Sequence, residues 1–443
     1  MNNCFTSCGR NVEPAQPHWP TVARALAGAA LLAGLTHGEA RAQLLERYFP
    51  ANVPAYQDWF ANLDTSGTGD AYTPLGVRAG SFIIRPSITE GIGYDSNVIG
   101  TQAALGSAEL RSSGAVNVDS DWSRNSLNAS VAADDMRYFD APGRSFTTWT
   151  ASAGGTIDYA DDKIGLGYAH LNTVSLPTDA GTFGLLQPVT GQVDDVRISD
   201  TLGPGPLILV PALDGQLYRF STASGATSAA SQGLFNRDQL TGSVTASYEF
   251  AGGHNVIVVL NDSDVTYSGA PTGRPANYND ASILAGLEYR QSALFVYRAL
   301  VGYEERFPNG RGTGRTISAP AAELDLIWTP TRLLSLTGRV VQSLQNEVTA
   351  AGQGVTDTSG QLILDYAARR NVMLEGTLRY DRTSFSMGEG TQSAFIASAE
   401  ARWNLNRNLG LVLHYDFTKG DDSSDSALSF TRQQILLQAR FQM

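Results

Sequence analysis

The sequence predicts an all-β chain, a transmembrane antiparallel up-and-down β-barrel of about eighteen strands, with sixteen as the alternative count. Three observations predict it. An apolar N-terminal leader is followed by no second apolar run of helix length. Polar turns recur at a nearly constant spacing. Oily and ionic side chains alternate strictly through the C-terminal half.

The leader comes first. Arg10 and Arg24 precede an apolar run from Ala25 to Leu35, and Ala40-Arg41-Ala42 supplies the small residues of a cleavage site. Residues 1–42 therefore read as a signal peptide, and the mature chain is expected to begin at Gln43. The apolar run is about eleven residues, too short for a membrane-spanning helix, which needs roughly 20. Cys4 and Cys8 both lie before it and leave with the leader, so neither a disulfide framework nor a cysteine-bound metal is expected. The formal net charge of −12 becomes one unit more negative in the mature chain, which argues against nucleic acid as a partner. Beyond Gln43 the longest apolar stretches, such as Val256 to Leu260, have a strand's length. Backbone amides find no water inside a bilayer, so such a chain can cross only as a closed sheet.

The period comes next. Short turns near Ser123, Asp161, Gly252, Gln291, Pro330, Arg369 and Asn406, and the end at Met443, are mostly about 37 to 40 residues apart. Each unit reads as two strands and a longer loop. The wide interval from Asp161 to Gly252 spans about two periods and holds Thr201-Leu202-Gly203-Pro204-Gly205-Pro206 near its middle. A turn there, flanked by strands Val193 to Ser199 and Gln216 to Thr222, gives eighteen strands; a single loop from Pro177 to Arg237 would give sixteen. The longer segments, such as Ser268 to Asn279, Pro308 to Gly314, Thr349 to Thr358 and Gly420 to Ser426, alternate with the short turns. Barrels in the outer membrane keep short turns in the periplasm, which places both termini there. The barrel is expected over 81–443, and 43–80, with Tyr56, Trp59 and Phe60, precedes it as a periplasmic extension or an inward plug.

Alternation then assigns the faces. Series such as Leu362, Leu364 and Tyr366, or Leu409, Leu411, Leu413, Tyr415 and Phe417, carry no charge and end in aromatic rings suited to the head-group level. The intervening positions hold the ions. Arg298, Arg339, Arg379, Arg402 and Arg440, with Glu323, Asp325, Asp365, Glu375 and Glu400, are candidates to line the lumen, together with His414 and Asp416.

Three stretches resemble the bacterial outer-membrane β-barrel porin family of the second type, some of whose members are encoded near exopolysaccharide genes. They are Pro86-Ser87-Ile88 with Gly91-Ile92-Gly93-Tyr94-Asp95-Ser96-Asn97-Val98, then Arg369-Arg370-Asn371-Val372, then Trp403-Asn404-Leu405-Asn406-Arg407-Asn408-Leu409. The resemblance covers roughly 81–443 and implies a barrel without a catalytic motif. The last strand departs from the usual aromatic ending, with Phe441 two places early and Met443 terminal.

For chemistry the sequence offers little. His170 falls near an outer rim and His254 in a short turn; only His414 points inward, with Asp416 on the same face, where the pair resembles a base and its orienting acid. Adjacent acids such as Asp134-Asp135 and Asp194-Asp195 point to opposite faces of a strand and cannot share a ligand. No phosphate loop, zinc-spaced cluster or nucleophile elbow is present, so no cofactor or metal site is expected. The leading functional reading is a channel for diffusion of small polar solutes. A second is a conduit or scaffold for exopolysaccharide export with a periplasmic partner at 43–80, and a third is a barrel hydrolase resting on His414. The expected partners are outer-membrane lipids and the barrel insertion machinery.

Overall fold

The computed structural model describes residues 49, 52–56, 72–160, 162–185, 187–203, 205–221, 236–268, 277–290, 294–309, 315–345, 354–385 and 390–443. The expected leader 1–42, its cleavage point, Trp59 and Phe60 lie outside them.

A short strand β1 (Val77–Ala79) leads into eighteen long ones. These are β2 (Phe82–Asp95), β3 (Ser107–Ser120), β4 (Ser126–Tyr138), β5 (Phe146–Tyr159), β6 (Asp162–Ser175), β7 (Val189–Thr201), β8 (Leu207–Ser221), β9 (Arg237–Ala251) and β10 (His254–Tyr267), continuing as β11 (Tyr278–Tyr289), β12 (Phe295–Pro308), β13 (Ile317–Thr331), β14 (Leu334–Gln345), β15 (Val355–Arg369), β16 (Val372–Phe385), β17 (Thr391–Asn404), β18 (Leu409–Asp422) and β19 (Phe430–Gln442). Each of β2–β19 pairs antiparallel with its chain neighbours. The ring closes where β19 meets β2, with Gln434 opposite Asp95 and Gln442 opposite Ser87. Closure leaves no row of unpaired amides, the condition a membrane imposes on a sheet. The chain reverses between β7 and β8, so the barrel has eighteen strands, and both flanking strands are longer than the sequence reading gave them. The strand β1, which folds back on β2 through Gly80 at φ +61°, was not expected.

Short turns and long loops segregate to opposite ends, and the barrel begins at Phe82 and finishes at Gln442 on the short-turn side. Around the outside runs the expected apolar belt: Leu324, Val340, Leu362, Leu364, Leu378, Leu413 and Leu437 are all exposed. Trp328, Tyr366, Trp403 and Phe441 mark its edge at the short-turn end, and Tyr303, Tyr380 and Phe395 its other edge.

The N-terminal half departs from this clean segregation. Glu90 faces outward between exposed Ile88 and Ile92, opposite Ala439, and accepts a 2.6 Å hydrogen bond from the Ser112 hydroxyl. Nearer the long-loop end, His170 faces outward as well, stacked on Trp149 with 4.7 Å between centroids and bonded through Nδ1 to Asp194 at 2.8 Å. The inner wall is not uniformly polar either. Ile257, Val259, Leu284, Leu300 and Ala321 form a buried apolar cluster on β10–β13, so the run Val256 to Leu260 contributes to both faces.

Candidate functional site

Charged side chains on the inner wall are arranged in rows because antiparallel register sets them side by side. One row crosses β11–β16 as Glu288, Arg298, Asp325, Arg339, Gln361 and Arg379. Arg298 Nε lies 3.1 Å from Glu323, Arg339 Nε 3.4 Å from Asp325, and Arg379 Nε 2.7 Å from Asp381. A second row crosses β15–β18 as Asp365, Glu375, Glu400 and His414. There the Arg402 guanidinium bridges Glu375 and Glu400, while Asp365 accepts from the Ser335 hydroxyl at 3.5 Å. The twelve lumen candidates thus fall into these two rows and their immediate neighbours, save Arg440, which is exposed at the short-turn end.

His414 is held from both sides. Nδ1 faces Glu400 at 3.2 Å and Nε2 faces Asp416 at 2.9 Å, and the Ser398 hydroxyl bonds Asp416 rather than the imidazole. With both ring nitrogens on carboxylates, neither is placed to take a proton from a nucleophile. The arrangement is an ion network.

Sequence reasoning missed the charged groups of the N-terminal strands, whose alternation is interrupted by outward polar residues. At the closing seam Arg432 donates twice to Asp95, from Nε at 2.8 Å and Nη2 at 2.6 Å, and Gln434 bonds both oxygens of Glu109 at 2.9 Å. Arg111 grips Asp134 through Nε and Nη2. On β7 and β8, Arg197 reaches Asp214 at 2.7 Å and Asp195 at 3.2 Å.

Among the described residues two segments enter the lumen. The first lies in 43–80. Val53 is fully buried and clusters with Tyr56, Ala169, Leu171, Val193 and Tyr218 on the inner face of β6–β8. Phe49 and Tyr56 stack at 4.9 Å, and the Arg197 guanidinium lies 4.6 and 4.5 Å from the two ring centroids, cation–π distances. Asn52 donates to Asp119 at 3.1 Å and to the Ala129 carbonyl at 3.0 Å, and the Tyr56 hydroxyl donates to the Asp195 carbonyl at 3.0 Å. The seat depends on glycine: a Cβ on Gly154 would stand 2.7 Å from Val53, and one on Gly167 2.6 Å from Ala55.

The second is the loop between β6 and β7. It crosses from its own strands to the inner face of β17 and β19, where the Gly181 and Phe183 amides donate to Gln392 Oε1 at 2.9 and 3.2 Å. Phe183 packs edge-on against Phe430. Between the docked segment and this strap lies a cavity of about 560 Å³, lined among others by Phe49, Arg111, Tyr138, Thr148, Thr150, Leu176, Arg432 and Gln434.

An eighteen-stranded closed sheet with an apolar outer belt and an ionic inner wall defines an outer-membrane β-barrel of the porin class. More narrowly, the model of the family described as "Putative beta-barrel porin 2" matches residues 70–443, and the chain belongs to that family. No curated protein matches it. Among solved structures it is similar to the FrpB iron transporter of Neisseria meningitidis, at 9% identity and a TM-score of 0.45 over 78% of this chain, spanning 62% of the transporter's length. It is also similar to the outer membrane protein OpdK of Pseudomonas aeruginosa, at 12% identity and 0.42, covering 81% of this chain and 98% of that one. A BenF-like porin of Pseudomonas fluorescens Pf-5 gives 11% and 0.43, with 81% and 99% covered. At these identities and scores nothing about solutes carries over.

Proposed function

We propose that the chain is a channel through which small polar solutes diffuse across the outer membrane, with the long loops outside, both termini in the periplasm and the docked residues 52–56 acting as a partial plug. The carrying observation is the wide, ion-lined interior, narrowed from one side by Val53–Tyr56 and from the other by the β6–β7 strap. Barrels of this strand number leave an aqueous channel unless something fills it. The wall favours cations. Arg197 and Arg402 each face two carboxylates. Fixed charge of one sign along low-dielectric walls concentrates counter-ions. Tyr56, one of the three aromatic residues of 43–80 open to docking a periplasmic partner, is buried in the lumen wall, so the conduit reading gains no support from that residue.

Osmotic swelling of proteoliposomes tests the proposal. Uptake of pentoses and hexoses should be rapid and should fall steeply for larger oligosaccharides. Liposomes holding verified, folded protein that swell no faster than empty ones would refute it.

A further inference from the structure

The short-turn rim of β13–β18 carries a row of guanidinium groups. Arg332 sits in the β13–β14 turn, Arg369 and Arg370 at the β15–β16 turn, and Arg407 in the β17–β18 turn. The first three are exposed, and among the described residues none of the three has a carboxylate within ion-pair distance. The turn segments 329–333, 368–371 and 405–408 contain no Asp or Glu. The lumen treats its cations in the opposite way, giving Arg298, Arg379 and Arg402 carboxylate partners.

Position along the strands says what these groups meet. Trp328, Tyr366 and Trp403 are exposed on the outer face, each three or four residues before the arginines of its turn, and such rings settle at head-group level. A turn beginning just beyond them lies in the phosphate layer. There a juxtamembrane Lys or Arg gains attraction to anionic lipid that fades within a Debye length, and a guanidinium fork matches phosphate oxygens.

We propose that this rim binds the phosphate head groups of anionic phospholipids in the leaflet at the short-turn end, anchoring β13–β18 at fixed depth. The proposal does not rest on the channel reading, since it concerns the outside of the barrel.

The test is native mass spectrometry of the full chain in micelles containing phosphatidylglycerol and phosphatidylcholine. The protein should retain phosphatidylglycerol over phosphatidylcholine by at least roughly tenfold, as expected for several basic groups near a surface. The triple variant Arg332→Gln, Arg369→Gln, Arg370→Gln should lose that preference. Arg382→Gln, exposed at the opposite end of β16, should keep it. Folding of each variant is checked by heat-dependent gel mobility, and the three single variants replace the triple if it fails to fold. Equal retention of the two lipids overturns the proposal, as does a folded triple variant that still prefers phosphatidylglycerol. Displacement of the lipid by millimolar inorganic phosphate would assign the rim to free phosphate and overturn the lipid assignment.

Discussion

Gln392 on β17 holds the β6–β7 strap across the long-loop mouth, and Gln392→Ala should release it. Its Oε1 accepts from Gly181 N at 2.9 Å and Phe183 N at 3.2 Å, while Nε2 donates to Asp422 at 2.9 Å. Truncation removes both of these bonds to backbone amides, each contributing about 0.5 to 1.5 kcal/mol, so docking of the strap weakens by roughly 1 to 3 kcal/mol. The Phe183–Phe430 edge contact at 5.3 Å, about 0.5 to 1.5 kcal/mol beyond its area burial, and the packing of Ala180, Ala394 and Leu428 around it stay in place and do not replace the lost bonds. Hydrogen exchange of the detergent-solubilised protein reads the effect directly. At the lower bound the Gly181 and Phe183 amides should exchange roughly fivefold faster, while amides in β6 and β7 stay protected. Exchange at 176–185 within a factor of two of the parent would refute the pinning.

Three further outcomes follow from the same geometry. Leu364→Arg places a cation in the outer belt and should lower unfolding free energy by about 2 to 4 kcal/mol in urea titrations, whereas Asp365→Arg should leave stability nearly unchanged and weaken cation preference; equal tolerance at the two sites would contradict the register. Tyr56→Ala removes the Arg197 stack and the bond to the Asp195 carbonyl, so it should raise conductance, and a conductance equal to the parent's would show that the segment does not obstruct the lumen. Glu90→Leu removes a carboxylate from the lipid face and should stabilise the barrel by up to about 2 kcal/mol; a lowered urea midpoint would instead mean that Glu90 is satisfied where it stands.

The barrel was legible because two simple regularities survive in the sequence. Alternation through Leu409, Leu411, Leu413 and Tyr415 fixes one face, and the turn spacing favours eighteen strands over sixteen once Thr201 to Pro206 supplies the missing mark. The N-terminal half was harder to read because Glu90, Asp135 and His170 put polar groups on the outer face, which breaks the two-residue rhythm. The seat of Val53 and the pinning of the strap by Gln392 were invisible for another reason. Both join residues far apart in the chain, and no local pattern reports a contact such as Gly181 with Gln392. Register likewise made the rows: Asp365, Glu375 and Glu400 lie on three strands, and only their pairing shows that they stand side by side.

Single-channel recording in planar bilayers under a potassium chloride gradient bears most directly on the whole account. Purified protein should give stable open steps with a reversal potential on the cation-selective side. Electrical silence after verified insertion would contradict the open lumen, and an anion-selective potential would contradict the charge assignment of its wall.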